Sequence, residues 1–128
     1  MKASSVRIGN LVYDGQKREF KITAQDIVGM LQMEAAGKLP IETGIRITDE
    51  KLIDLKFGKI ISYFIETSKD KFLELGWNDV NKWYAFFRNK NHGSPLKNPD
   101  DYVILKDNLQ YIHEIQNLYF DLSGKELI

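Results

Sequence analysis

The sequence predicts an α+β protein: an N-terminal β-hairpin, two helices, an antiparallel β-meander and a C-terminal helix packed on the sheet. Three observations predict it. Asp14-Gly15, a strong turn signal, sits between two strand-like stretches. Short aromatic and β-branched segments separated by polar turns follow one another from Ile60 to Leu105. The C-terminal stretch from Asp107 has helical start and stop signals around a wide apolar face.

The elements follow in order. Val6 to Tyr13 reads as a strand with Gly9 as a bulge, and Arg18 to Ile22 alternates and returns as its partner. Gly9 and Gly15 resemble the glycine pair of an SH3-like hairpin. Thr23, with Asp26 three residues on, caps a helix from Ala24 to about Ala36, ended by Gly37 and Pro40. Gly29 weakens that helix, and a strand through Ile27 to Leu31 is the alternative. Thr48-Asp-Glu opens a second helix whose apolar side is Leu52, Ile53, Leu55 and Phe57, with Gly58 as its stop. Strands are expected at Ile60–Ile65, Lys71–Trp77, Lys82–Arg88 and Tyr102–Leu105. The polar loop Asn89 to Asp101 is the expected mobile segment.

Asp107 and Gln110 then have capping-box spacing, and Gly124 stands where a helix ends in a left-handed residue. At ~100° per residue, Tyr111, Ile112, Ile115, Leu118, Tyr119 and Leu122 share one arc, widened by Leu109 and Phe120. Gln110, His113, Glu114, Asn117 and Asp121 take the opposite, wet face. Gln116 falls inside the apolar arc, where a buried amide needs partners, and it is expected to bond loop backbone.

Composition narrows the function. The 128 residues, 43% hydrophobic and 12% aromatic, suit a single α+β domain over 1–128 with a real core. With no cysteine there is no disulfide, thiolate metal site or cysteine nucleophile. Eighteen basic residues balance eighteen acidic ones, which argues against a dedicated non-specific nucleic-acid binder. No apolar run approaches the ~20 residues of a membrane span, and the opening Met1 to Arg7 lacks the apolar core of a signal peptide. A cytoplasmic protein that does not enter a membrane is expected.

Candidate chemistry is sparse. His113 lies beside Glu114, but neighbours ~100° apart on a helix do not form a dyad unaided. His92 and Ser94 share a loop with no orienting carboxylate. Asp100-Asp101 and Asn78-Asp79 fit turn chemistry better than a calcium loop. No phosphate-cradling glycine loop exists. The expectation is no catalytic, cofactor or metal site, and no enzyme.

The aromatic strand offers more. In a strand, Trp83, Ala85 and Phe87 face one way and Tyr84, Phe86 and Arg88 the other, so both faces carry aromatics. Trp77, Trp83, Tyr84, Phe86 and Arg88 form the candidate interaction surface. A protein partner or self-association is the first reading, because exposed apolar patches mark protein contacts. Base stacking beside Lys82, Arg88 and Lys90, in a nucleic-acid-binding accessory protein, is the alternative.

Three blocks carry a resemblance: Met1 to Val12, Ile47-Thr-Asp-Glu-Lys-Leu-Ile-Asp-Leu-Lys-Phe57, and Ile112-His-Glu-Ile-Gln-Asn-Leu-Tyr-Phe-Asp-Leu-Ser-Gly-Lys-Glu-Leu127. Together, about a third of the chain, they resemble a family of short, uncharacterised proteins of Bacteroidetes-type gut bacteria and their prophages and mobile elements. The third block is close to that family's His-Gln-Leu-Gln-Asn-Leu-Tyr-Phe-Ala-Leu-Thr-Gly-Glu-Glu-Leu. The middle departs from it: Gly44-Ile-Arg-Ile replaces Pro-Ile-Pro-Leu, Lys51 a tryptophan, and Lys56 a glycine. The resemblance implies a bacterial or phage cytoplasmic setting and transfers no functional residue.

Overall fold

Residues 1–59, 62–88 and 102–127 are described in a computed structural model of the chain. Their contacts divide the chain into two compact units, Met1–Arg46 with Tyr111–Leu118, and Ile47–Gln110 with Tyr119–Ile128.

The first unit holds β1 (Leu11–Tyr13), β2 (Glu19–Lys21), α1 (Ala24–Ala35), β3 (Thr43–Gly44) and the start of the last helix, α3 (Ile112–Ser123). Its sheet is ordered β2-β1-β3, with both pairings antiparallel. The hairpin forms where predicted, but not through a two-residue Asp-Gly turn. The Asp14 carboxylate accepts the N–H groups of Gln16 at 2.8 Å and Arg18 at 2.9 Å, and the left-handed residue is Lys17, at φ 58°. The side chain of Asp14 thus organises a longer turn than its dipeptide signals.

The predicted strand over Val6–Asn10 is instead a turn. Arg7 N–H donates to Asn10 Oδ1 at 2.7 Å, and Gly9 sits at φ 92°. Helix α1 starts on the predicted Thr23–Asp26 capping box and gives way to Gly37 at φ 74°, so the strand alternative for Ile27–Leu31 is not adopted. Ala3, Val12, Ile22 and Met30 form the core here, with Phe20 and Ile27 packed against it.

Helix α3 begins later than predicted. Asp107 lies inside a strand, because pairing with the neighbouring strand continues to Leu109 and outweighs the local cap signal. The N-terminus is closed by Glu114, whose carboxylate accepts the Tyr111 N–H at 3.1 Å. The C-terminus ends as predicted, with Gly124 at φ 71° and its N–H on Phe120 O at 2.7 Å.

Within the first unit the helix meets the three-stranded sheet at β1, and its wet face is narrower than the helical wheel indicates. Ile112, Ile115 and Gln116 are buried, and so is His113. Gln116 Oε1 accepts the N–H of Leu11 at 2.8 Å, so the buried amide does bond backbone, at the start of β1. Asn117, expected in solvent, accepts from Asn10 Nδ2 at 2.9 Å and donates to Ser5 O at 3.3 Å.

The second unit contains α2 (Asp49–Asp54) and five strands: β4 (Gly58–Lys59), β5 (Tyr63–Ser68), β6 (Lys71–Asn78), β7 (Lys82–Arg88) and β8 (Tyr102–Leu109). Thr48 caps α2, accepting the Lys51 N–H at 3.2 Å. The helix stops at Lys56, in the left-handed region at φ 71°, two residues before the predicted Gly58 stop. The strands run as the predicted antiparallel meander, in the order β4-β5-β6-β7-β8. β5 starts at Tyr63, later than the predicted Ile60. β8 extends beyond the predicted Leu105 to Leu109. Ile60, Ile61 and the predicted loop Asn89–Asp101, with His92 and Ser94, lie outside the described residues. Leu73, Leu75 and Ala85 are buried on one face of this sheet, and Leu52, Leu55, Phe57, Leu109, Tyr119 and Leu127 are buried in the same unit.

Candidate functional site

Alternation on β7 separates the five candidate residues. Cross-strand partners Trp77 and Trp83 lie on the face shared with Leu75 and Ala85, and Tyr84, Phe86 and Arg88 lie on the other. The sequence predicts this split of faces, but not what each face does.

The outer face is largely occupied by its own packing. Tyr84 lies opposite Gly76, and any Cβ at Gly76 would collide with the Tyr84 hydroxyl. Phe64 covers Gly58 in the same way on the neighbouring pair, where a Cβ would fall 2.6 Å from the ring. An aromatic ring over a cross-strand glycine fills space that the glycine leaves empty. Glu74 has Phe64 on one side and Phe86 on the other, yet it is 0% exposed. Its charge is met by Arg88, whose Nε donates to Glu74 Oε2, and Ser62 Oγ donates to Oε1 at 3.0 Å. The surface reading of Arg88 is therefore corrected. At 9% exposure its guanidinium serves an internal ion pair and is not presented to a phosphate.

Among the described residues, β8 lies at the end of the strand order. Tyr102, Val103 and Ile104 at its start are 38%, 56% and 69% exposed. Tyr102 meets Phe86 edge-on, with ring centroids 6.3 Å apart, so this apolar strip continues the aromatic row of the outer face. The sequence marks these residues only as a strand, since exposure depends on which strand closes the sheet.

The two tryptophans line a cleft of about 380 Å³ with Asp49, Lys59 and Tyr63. The turn between β6 and β7 sets the indoles opposite each other: Asn78 Oδ1 accepts the N–H groups of Val80 at 3.0 Å and Asn81 at 2.6 Å, the turn chemistry predicted for Asn78-Asp79. Trp83 packs at 6.0 Å and 56° on Tyr63, whereas Trp77 is 54% exposed. The Tyr63 hydroxyl donates to Asp49 Oδ1 at 2.6 Å, and Lys59 Nζ stands 4.9 Å over the Tyr63 ring. Burial pushes the Tyr63 hydroxyl above the ordinary tyrosine pKa, and the bond to Asp49 adds to the shift. Asp49, Lys59 and Tyr63 come from α2, β4 and β5, so no local motif announces them.

The remaining candidates carry less. His113 is 3% exposed and stacks on Tyr111 at 5.6 Å, which corrects its placement on a wet face. Asp100-Asp101 and Lys90 fall outside the described residues. Among the described residues, no three His, Cys, Asp or Glu side chains converge as metal ligands, and no helix is long and apolar enough to cross a membrane. No protein-family model, curated protein or solved structure matches the chain.

Proposed function

We propose that the chain is a non-enzymatic protein-interaction module that self-associates through the edge of its five-stranded sheet. The observation behind this is the exposed apolar start of β8, Tyr102-Val103-Ile104, on an eight-residue terminal strand. Such a strand presents backbone donors and acceptors to any extended segment that reaches it. Apolar groups on both sides of the strand favour a partner strand with the same pattern, and an antiparallel copy of β8 supplies one. A cytoplasmic bacterial or prophage setting rests on the resemblance alone.

Light scattering on the purified chain tests the reading. A dimer at about 100 µM that Ile104→Glu converts to a folded monomer is the expected result, since interface cores reject an unpaired charge. A wild-type chain that is monomeric throughout refutes self-association. Salt-sensitive binding of a single-stranded oligonucleotide by that monomer would support the nucleic-acid alternative instead.

A further inference from the structure

The cleft around Trp77 has a separate character. Trp77 is exposed at one side of it, Trp83 is braced by Tyr63 at the other, and its volume lies in the range of small-molecule sites. An indole that is 54% exposed beside a concavity is a platform whose apolar face awaits a partner. The polar groups around it are mixed in sign and in hydrogen-bonding sense. Asp49 only accepts, Lys59 only donates, and the Tyr63 hydroxyl joins them, giving its proton to Asp49 and accepting from Lys59.

These features select a ligand class. A free cation would suit the aromatic faces and Asp49, but Lys59 already stands over the Tyr63 ring and would repel it. A phosphate or carboxylate would suit Lys59 but meets the Asp49 charge. A ring with an apolar C–H face and a rim of hydroxyl groups, each both donor and acceptor, suits all of them. We infer that this cleft binds a neutral sugar ring, stacked on Trp77 and hydrogen-bonded at its rim by Asp49 and Lys59.

The chain contains two tryptophans, and both line this cleft, so its intrinsic fluorescence reports on the site. The wild-type chain would be titrated with glucose, galactose, mannose, N-acetylglucosamine and their short oligosaccharides, following tryptophan emission and heat of binding. The expected result is saturable binding of at least one neutral sugar in the millimolar range or tighter, with a shift in emission. Trp77→Ala, at an exposed position, should keep the wild-type melting temperature and weaken binding by at least about tenfold in calorimetry. Asp49→Asn should weaken it less while preserving the fold. Absence of saturable binding across the panel overturns the inference, as does sugar binding that Trp77→Ala leaves unchanged. Preference for a nucleoside or a quaternary ammonium ion over every sugar would also overturn it.

Discussion

Arg88→Met should be among the most damaging single changes in the second unit. Glu74 is wholly buried between Phe64 and Phe86, and it accepts Arg88 Nε and the Ser62 hydroxyl. Removing the guanidinium leaves a buried carboxylate without its cationic partner. Breaking such a pair typically costs ~3–5 kcal/mol, against a total stability of ~5–15 kcal/mol. For a chain of this size each kcal/mol lowers the melting temperature by roughly 3–5 °C, so a fall of about 10–25 °C is expected. Replacing both partners, Glu74→Leu with Arg88→Met, should recover most of the loss, because the site is walled by aromatic rings and accepts apolar volume. Urea unfolding of the wild type, both single variants and the double variant forms a complete cycle. A loss below about 1 kcal/mol for Arg88→Met would mean that the pair behaves as an exposed one. A double variant no more stable than Arg88→Met would show that the arginine acts by packing and not by charge.

Other outcomes follow from the same structure. Ile115→Ala removes a fully buried side chain of α3 and should cost ~2–5 kcal/mol in urea unfolding. Gln116→Leu strips the Leu11 N–H of its acceptor and should cost ~1–3 kcal/mol in the same assay, although it adds apolar surface. Lys56→Gly should raise stability by roughly 0.5–1 kcal/mol, read as a higher urea midpoint, because glycine adopts φ 71° without the Cβ penalty. The raised Tyr63 hydroxyl keeps its proton in the folded state at a pH where the unfolded chain releases it. Its contribution is therefore whole below pH ~10 and is lost as pH rises through the folded value, so Tyr63→Phe should flatten the decline of melting temperature above pH ~10.

Much of the fold is legible from local chemistry. The Thr23–Asp26 box, the Thr48 cap, the Gly124 stop and the alternation of β7 each rest on a few neighbouring residues, and each forms as the sequence indicates. Elements fail to follow local signals where a distant partner competes. Asp107 has a cap's spacing, yet pairing with β7 draws it into β8. His113 and Asn117 have a wet face's positions, yet Tyr111, Asn10 and Ser5 enclose them. Arg88 looks like a surface cation until Glu74, fourteen residues away, is placed beneath the same rings. The cleft depends still more on tertiary structure, because Asp49, Lys59 and Tyr63 come from three elements and meet the tryptophans only once the sheet is assembled. The sequence by itself determined the alternation of strands, the starts of α1 and α2, the end of α3 and the α+β class, since propensity and capping act over one or two turns. Only the tertiary structure decided which polar groups are buried, which strand lies at the edge and which aromatic remains in solvent, since each depends on contacts between residues far apart in the chain.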